Sequence, residues 1–281
     1  TASNTVDEEG LSNGIIGGPN DATGANTTVT GTLGYNFGGD GAASTGAFTW
    51  STAGLPGLSS GGTALVYSVS ADGLTLTGAK TGGGATVFTV KVTDLATGAY
   101  EFKLLLPLDH SAPVSPVTSD EDDIPLSFGY TVKDDDGSTA TGSLGITIDD
   151  DSPTVDLLPN IGASVVEGAT YNGTWSSGYG ADGAGSTKVL VGANEYDLNT
   201  DIALASGTLR VNSDGTWRFQ AANGLDQDVV NSQSFSVRVR DYDQDTVTDN
   251  ITIAITDAAT PTGGTASNTV DEEGLSNGII G

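Results

Sequence analysis

The sequence lacks cysteine and methionine altogether, contains one histidine, and has few basic side chains. Without cysteine the chain has no disulfide bond, no thiolate metal site and no thiol nucleophile. The single histidine, His110, excludes most zinc sites and catalytic relays, because these depend on several imidazoles. The chain has 9 Lys and Arg residues and 36 Asp and Glu residues, so the formal net charge is −27. Such a charge argues against nucleic-acid partners and anionic membrane surfaces.

Long apolar runs are also missing. No stretch approaches 18 apolar residues, so the sequence predicts no membrane-spanning helix. The N-terminal residues show no basic region followed by an apolar stretch, so no signal peptide is recognisable. Because the chain begins at Thr1 and contains no methionine, we interpret it as a piece of a longer polypeptide.

Glycine and carboxylate are abundant. Glycine accounts for 41 of the 281 residues, about twice the usual share of roughly 7%. Hydrophobic residues make up 36% of the chain, which separates it from charge-rich disordered chains. Carboxylate and backbone carbonyl oxygens are the hard ligands that calcium prefers. At roughly 150 residues per domain, the length predicts about two domains.

The two ends of the chain carry the same sequence. Residues 1–17 and residues 265–281 both read TASNTVDEEGLSNGIIG, at an offset of 264 residues. A tandem array with a period of 264 residues explains this identity, with each unit made of whole domains.

A weaker repeat lies inside this period. The segments 97–109 and 128–136 resemble 214–226 and 235–243, in the same order. The matched residues are Tyr100 with Trp217, Phe102 with Phe219, Asp109 with Asp226, and Asp134 and Asp136 with Asp241 and Asp243. Each half then ends in an apolar strand followed by aspartate. We therefore predict two related domains, at 1–152 and 153–260, followed by a linker and the start of the next repeat at 261–281.

The hydrophobic pattern predicts β-structure. Apolar and polar residues alternate with a period of two along 128–132, 144–148, 235–239 and 251–255. Clusters of Gly, Asn, Asp and Ser separate these segments at the spacing of turns. The only faint helix candidate is 196–205. We predict an all-β protein made of two tandem Ig-like or cadherin-like β-sandwiches.

Acidic residues are clustered at predicted strand ends and junctions. The clusters are Asp7 to Glu9, Asp120 to Asp123, Asp134 to Asp136, Asp149 to Asp151, and Asp241, Asp243 and Asp245. Like charges at this spacing repel unless a cation neutralises them, which favours calcium. Pairs such as Asp136-Gly137 are also typical of plain hairpin turns, and that alternative stays open. The run at 120–123 is better explained as a solvated loop, while Asp40 and Asp182 are equally compatible with a ligand role and a tight turn.

Several other motifs are coincidental. The segment starting at Asp241 opens like an EF-hand, but it has Thr246 where the loop needs glycine and no glutamate at its twelfth position. The GxGxxG at 178–183 and the GxSxG at 57–61 lack the strand-to-helix context that dinucleotide binding or hydrolysis requires. No pair of carboxylates is singled out for glycoside hydrolysis. Trp217 is expected in the core, whereas Trp50 is the best exposed candidate for stacking on a sugar.

The chain resembles the extender repeats of giant bacterial adhesins of the repeats-in-toxin class, which are exported by type I secretion. The resemblance lies in VDEEGL at 6–11, LDH at 108–110 and IPLSFGYTVKDDDGSTATGSLGITIDDDSP at 124–153, with a degenerate copy at 235–257. It implies β-sandwiches in series, calcium at the junctions and an extracellular position on the bacterial cell surface. The resemblance further implies that the calcium ligands are the junction carboxylates, the glutamate near the start of each half (Glu9 or Glu167), and the aspartates of the turns. With the remaining paired and strand-end aspartates, the predicted calcium ligands are Glu9, Asp109, Asp134, Asp136, Asp149, Asp150, Asp151, Glu167, Asp226, Asp241, Asp243, Asp245 and Asp257.

Two functions compete at this point. In the first, the chain is a calcium-rigidified spacer that holds a distal adhesive domain away from the cell, with neighbouring repeats of the same polypeptide as its partners and a monomeric state. In the second, loops inserted into the first domain at 42–87 form a glycan- or peptide-binding module, since loops on rigid sandwiches often carry recognition. No constellation of residues supports an enzyme, and neither nucleic acid nor membrane insertion is expected.

Overall fold

The computed structural model describes residues 4–17, 24–110, 123–159, 162–258, 263–271 and 275–277. The acidic residues 120–122, for which a solvated loop is predicted, lie outside these ranges. Within them the chain is built almost entirely of β-strands, with one 3₁₀ turn at Glu8–Gly10. No helix in these ranges has the length and apolar character needed to cross a bilayer.

Ten strands form the first β-sandwich. They are β1 (Thr5–Asp7), β2 (Thr28–Thr32), β3 (Phe48–Trp50), β4 (Ser59–Ser60), β5 (Thr63–Val69), β6 (Thr75–Lys80), β7 (Thr86–Asp94), β8 (Ala99–Leu104), β9 (Ile124–Lys133) and β10 (Thr139–Asp149). One sheet has the order β1-β10-β9-β3 and the other β2-β8-β7-β6-β5-β4.

Ten further strands form the second β-sandwich. They are β11 (Thr154–Leu158), β12 (Ser164–Val166), β13 (Thr170–Gly178), β14 (Ala184–Val191), β15 (Asn194–Tyr196), β16 (Ile202–Leu204), β17 (Gly207–Val211), β18 (Thr216–Ala221), β19 (Ser232–Asp241) and β20 (Thr246–Thr256). The sheets have the orders β11-β13-β18-β17-β16 and β12-β20-β19-β14-β15.

Each sandwich has one parallel strand pair in an otherwise antiparallel arrangement. β1 lies parallel to β10, and β12 lies parallel to β20. The first strand of the first half and the second strand of the second half therefore each run alongside the closing strand of that half. This arrangement brings the residues that follow β1 close to those that follow β10, and the residues that follow β12 close to those that follow β20.

The predicted alternation is confirmed by burial. Phe128, Tyr130 and Val132 on β9 are buried, as are Phe235, Val237 and Val239 on β19. Because successive side chains of a strand point to opposite faces, every second residue enters the core between the two sheets. Two separate hydrophobic cores result, one from residues before Asp149 and one from residues after Thr154. The all-β prediction of two tandem sandwiches is confirmed.

The first-half insertion at 42–87 extends both sheets of its sandwich. It contributes β3 to one sheet and β4, β5 and β6 to the other. Trp50 on β3 is only 2% exposed, packs edge-on against Phe48 and Tyr130, and donates its indole N–H to the Leu74 carbonyl at 3.0 Å. The prediction of Trp50 as an exposed sugar-stacking residue is therefore wrong, because the insertion supplies a core strand rather than a surface loop.

The faint helix candidate at 196–205 is also wrong. The segment begins at the end of β15, passes through a turn and continues into β16. Asn199 in this turn has φ of 64°, a left-handed conformation that asparagine tolerates better than most residues. This backbone ends any helical run, and Ile202 and Leu204 lie in strand β16 instead.

Candidate metal site at the junction of the sandwiches

Acidic residues from both sandwiches meet between them with one histidine. We call this group the junction cluster, and its members are Glu8, His110, Asp150, Asp151, Asp182, Asp241, Asp243 and Asp245. Three overlapping subsets bring one ligand atom per residue to within 4.8 Å of each other: Glu8, His110 and Asp150; Asp150, Asp182 and Asp243; and Asp241, Asp243 and Asp245. Oxygens around one calcium ion, at about 2.3–2.6 Å from it, span similar separations.

The parallel pairing of β1 with β10 positions the first-sandwich members. Asp7 lies opposite Asp149 in this pair, so the residues that follow each strand emerge side by side. Glu8 starts the 3₁₀ turn after β1, and Asp150 and Asp151 follow β10. The side chain of Asp7 caps that turn by accepting the Glu9 N–H at 2.8 Å. Two acidic segments far apart in sequence are thereby fixed at one edge.

The turn between β19 and β20 supplies most of the second-sandwich members. Asp241 ends β19, and its Oδ1 accepts the backbone N–H groups of Gln244 at 3.1 Å and Asp245 at 2.7 Å. Gln244 adopts a positive φ of 100°, which closes the turn tightly. Alternate residues Asp241, Asp243 and Asp245 are therefore all buried in a segment of five residues.

In several of these carboxylates one oxygen is held by the backbone. Glu8 Oε1 accepts the Leu108 N–H at 2.9 Å, Asp243 Oδ2 accepts the His110 N–H at 3.0 Å, and Asp150 Oδ1 accepts the Asp151 N–H at 2.8 Å. These bonds fix the side-chain orientation and tie the 108–110 loop of the first sandwich to the second.

The second oxygen of these carboxylates is buried without a hydrogen-bond donor. Such oxygens belong to Glu8 (Oε2), Asp150 (Oδ2), Asp182 (Oδ2), Asp241 (Oδ2) and Asp243 (Oδ1). A buried acceptor without a partner destabilises a fold by about 1–3 kcal/mol, and more when it is charged. Five of them converging on one region match the donor set of a divalent cation.

His110 lies between two of the carboxylates. Its side chain is 1% exposed, with Nε2 at 3.4 Å from Glu8 Oε1 and Nδ1 at 3.5 Å from Asp150 Oδ2. The ring thus faces one acidic oxygen on each side, while its backbone N–H contacts Asp243 of the other sandwich.

Burial and mutual repulsion raise the pKa values of the cluster. Burial is the main cause for Asp150 and Asp182, whose pKa values rise to about 11 each, with further contributions from Asp243 and Glu8. Burial and then Asp243 raise the pKa of Asp241 to about 9. Without a cation, these groups therefore retain protons that ordinary aspartates release well below neutral pH.

The pKa of Asp151 is raised less than those of its neighbours, because backbone N–H groups donate hydrogen bonds to its carboxylate. Burial raises its pKa, but only to about 6. Its carboxylate accepts the N–H of Ala181 at 2.7 Å and that of Ile15 at 3.2 Å, and both bonds favour the ionised form. Since Ala181 belongs to the second sandwich, Asp151 also ties the two sandwiches together.

The inserted hairpin of β4 and β5 also reaches the junction. The Gly62 N–H donates to Asp109 Oδ2 at 2.9 Å. A Cβ on Gly62 would lie 2.3 Å from the hydroxyl oxygen of Tyr242, in the β19–β20 turn. The insertion therefore contacts the second sandwich beside the cluster, and the φ of 71° at Gly62 favours glycine at this position.

Comparison with known families places the first half of the chain. The family described as Domain of unknown function (DUF5801) matches residues 4–147, about half of the chain. The chain belongs to the DUF5801 family. The matched segment includes Glu8 and His110 and ends just before Asp150. No curated protein matches the sequence.

Solved structures similar to this DUF5801 chain are built of tandem modules. They include the fibronectin(III)-like modules of CbhA from Clostridium thermocellum, at 13% identity, TM-score 0.26, and coverage of 69% of this chain and 90% of that one. PcdhgB3 EC1-4 is 14% identical with a TM-score of 0.28, and the match covers 73% of this chain and 46% of that one. Drosophila N-cadherin EC1-3 is also 14% identical with a TM-score of 0.28, and the match covers 60% of this chain and 51% of that one. The chain thus covers about half the length of the two cadherins. The fold assignment rests on the strands and cores described above.

Other predicted ligands of the DUF5801 chain lie beside the cluster. Glu9 and Asp149 are buried next to it, and Glu9 Oε1 accepts the Gly17 N–H at 2.5 Å. Asp109 precedes His110 and accepts the Gly62 N–H with one oxygen, while its Oδ1 is buried without a donor. These three residues surround the cluster without belonging to its three-residue subsets.

The remaining predicted ligands lie elsewhere. Asp134 and Asp136 form a group with Asp40 in which only Asp134 is partly buried. In the second half of the chain, Glu167 is partly buried and its Oε2 accepts the Leu225 N–H at 2.8 Å, while Asp226 and Asp257 are exposed. The structure therefore brings Asp150, Asp151, Asp241, Asp243 and Asp245 together and leaves these others apart from them.

Three residues of the cluster, Glu8, His110 and Asp182, are not among the calcium ligands predicted from the sequence. Glu8 adjoins Glu9, which is a predicted ligand, and the acidic sequence at 7–9 alone does not distinguish the two residues. A single histidine does not by itself predict a metal site, and the sequence is equally compatible with Asp182 as a ligand and as a turn residue. The recurrence of GGDG at 38–41 as GYGADG at 178–183 was a usable signal for Asp182, whereas nothing local connects His110 with Asp243.

Proposed function

We propose that this chain is a calcium-rigidified spacer repeat of an extracellular bacterial adhesin, in which calcium fills the junction cluster and fixes the angle between the sandwiches. The observation that supports this most strongly is the set of five buried carboxylate oxygens without donors, contributed by both sandwiches. An uncompensated buried charge is strongly destabilising, and a bound cation removes that cost.

Calcium is the cation that suits the carboxylate-rich part of the cluster. Asp182, Asp241, Asp243 and Asp245 offer only oxygen, and calcium takes 6–8 oxygen ligands in flexible geometry. Magnesium needs near-ideal octahedral geometry and keeps several of its waters, which a site buried to this degree accommodates poorly.

Rigidity follows from where the ligands come from. Asp150 belongs to the first sandwich, and Asp182 and Asp243 belong to the second. An ion shared between them links two bodies that are otherwise joined by a short Pro-containing segment at 152–154. Without the ion, these carboxylates must either keep protons that the unfolded chain releases or repel one another, and both destabilise the joint at neutral pH.

The same scaffold recurs in the second half of the chain, which supports a serial arrangement. Glu167 follows β12 as Glu8 follows β1, and each holds the N–H of a leucine, Leu225 or Leu108, at 2.8–2.9 Å. We therefore propose domains at 1–152 and 153–260, with 261–281 leading into the next repeat. On this proposal, Glu167, Asp226 and Asp257 contribute to a joint with that repeat, and Asp134 and Asp136 to a joint with the preceding one.

The adhesin assignment rests on the adhesin-like motifs of the sequence together with this geometry. Type I export, the bacterial cell surface and a monomeric state belong to the same proposal. A spacer needs repeated, stiff units and no ligand pocket of its own. The rival glycan-binding function loses its main support because Trp50 is in the core.

Thermal unfolding tests the calcium role. At 10 mM calcium and a dissociation constant of about 10⁻⁴ M, each ion stabilises the fold by about 2.7 kcal/mol. At roughly 2–4 °C per kcal/mol for a chain of this size, the melting midpoint should rise by about 5–10 °C per ion over the chelated protein. Asp243→Asn should lose most of this gain, while Asp214→Asn, in an exposed turn, should keep it.

Small-angle scattering tests the rigidity separately. Calcium should narrow the distribution of distances between the sandwiches, and chelation should broaden it. An equal midpoint with and without calcium would refute the metal site. A calcium-dependent midpoint with unchanged scattering would retain the metal site and refute the spacer mechanism.

A further inference from the structure

We propose that the group of Glu8, His110 and Asp150 is a site for a divalent transition metal of the zinc type, beside the calcium-binding part of the junction cluster, with which it shares Asp150. The reason is the chemistry of its donors. Calcium binds oxygen, whereas imidazole nitrogen is a preferred ligand of zinc, copper, nickel and iron. The three residues offer one nitrogen donor and two carboxylates within 4.8 Å of each other.

The second support is that two of the donors are buried with free coordinating atoms. Glu8 is fully buried and its Oε2 has no hydrogen-bond donor, and Asp150, at 1% exposure, has the same deficiency at Oδ2. If the pocket served only to hold the His110 ring, these two additional acceptor oxygens would have no role.

The geometry of the ring matches a metal-binding histidine. A metal-bound imidazole usually donates its other N–H to a carboxylate, which fixes the tautomer and orientation of the ring. Both ring nitrogens of His110 face a carboxylate oxygen, Glu8 Oε1 at 3.4 Å and Asp150 Oδ2 at 3.5 Å. Ligands of a tetrahedral zinc at about 2.0–2.1 Å are separated by similar distances. One nitrogen would therefore bind the metal, and the other would donate to the carboxylate oxygen that faces it.

The internal repeat supplies a contrast. Leu108 and Asp109 correspond to Leu225 and Asp226, so the position of His110 is occupied in the second half by Gln227. The scaffold of the loop, including the glutamate that holds the leucine N–H, is kept in both halves. The histidine is thus not needed to build the loop, which directs attention to its donor chemistry.

The experiment uses the full chain in 10 mM calcium, so that the calcium sites are filled before zinc is added. Because the chain has one histidine, the two carbon-bound imidazole protons give unambiguous NMR signals. Titration with Zn²⁺ should shift both signals and saturate at one zinc per chain. Replacement of Zn²⁺ by Co²⁺ should broaden or displace the same signals and produce the absorption of a cobalt–nitrogen site.

The matched variant is His110→Gln, which copies the second half of the chain. It should weaken zinc binding about tenfold or more, since even outer-shell changes at metal sites cost 10–100-fold. Its calcium-dependent midpoint should remain, so failure of this inference is distinguishable from failure of the calcium role. Asp134→Asn controls for zinc held by the exposed Asp40 group and should leave the imidazole shifts unchanged.

Two results would overturn the inference. Imidazole signals that do not respond to zinc would show that the ring acts only as a partner of the two carboxylates. Equal zinc affinity in the wild type and His110→Gln would place any bound zinc on carboxylates alone. The first result can be obtained on the wild type, so it does not depend on the folding of the variant.

Discussion

The metal-free protein should lose stability as the pH rises from 6 to 8. Asp241 provides the magnitude, because its folded pKa is about 9 against an ordinary value of 3.8. Between these two values the unfolded chain has released the proton and the folded chain retains it. Ionisation therefore favours the unfolded state, at about 1.4 kcal/mol per pH unit for one such group.

From pH 6 to pH 8 this single residue should lower the free energy of unfolding by about 2.7 kcal/mol. That corresponds to a decrease of roughly 5–10 °C in the melting midpoint. Asp150 and Asp182 act in the same direction, since burial raises their pKa values to about 11. Asp151 contributes little in this range, because its pKa of about 6 means that it is ionised in both states at the upper end.

Calcium should reverse this dependence. Binding requires the ionised carboxylates, so the ion competes with protons and gains affinity as the pH rises. Calorimetric melts at pH 6, 7 and 8 should therefore show midpoints that decrease in chelator and stay level or increase in calcium. The difference between the two conditions should be largest at pH 8.

Matched variants isolate the cause. Asp241→Asn keeps an oxygen acceptor for the Gln244 and Asp245 amides and should make the slope in chelator shallower by about 1.4 kcal/mol per pH unit, the share of one group. Asp214→Asn should leave it unchanged, since the pKa of Asp214 is lowered by Thr216 and the residue is ionised in both states above pH 6. A chelated midpoint that is constant or rises from pH 6 to 8 would refute the buried, cation-dependent cluster.

Three other changes should have distinct outcomes. Glu8→Gln should raise the midpoint in chelator at pH 8 in calorimetric melts, since burial raises the pKa of Glu8 and makes its ionisation less favourable in the folded state than in the unfolded one; a lower midpoint would mean that the ionised carboxylate stabilises the fold. Trp50→Ala should destabilise the fold by about 3–5 kcal/mol in urea titrations. Glycan binding by the wild type that a folded Trp50→Ala variant loses would contradict the core position of Trp50. Gly173→Ala should cost several kcal/mol in the same assay, because a Cβ would lie 2.3 Å from the Trp217 ring, whereas no loss would mean that the ring can move aside.

The strands were predictable from sequence because their signal is local. Alternation such as Phe235, Val237 and Val239 needs only the period of two and one buried face. Trp50 was mispredicted although a signal existed, since Phe48 and Trp50 flank Thr49 in the same alternation. Its position within a Gly- and Ser-rich insertion hid that pattern.

The site was predictable only in part because its geometry is long-range. The acids at 149–151 and at 241–245 stand out as clusters, and the internal repeat places both at strand ends. Their meeting depends on how one sandwich sits against the other, and no local pattern encodes that. His110 shows the limit most clearly, because its nearest partners are 102 residues before it and 133 residues after it.

The two halves share one scaffold but carry different charges at its end, and this bears on how a joint works. In the parallel pairs, Asp7 lies opposite Asp149 and Val166 lies opposite Thr256. By this register Asp257 takes the place of Asp150, so the first half ends in three consecutive acids and the second half in one. The joint within a repeat therefore has stronger repulsion between carboxylates than the end of the second half. It also offers a cation more negative charge than that end does alone. A stiff array then requires the next repeat to contribute the missing carboxylates, which gives the exposed acids of the first sandwich a structural reason to lie where they do.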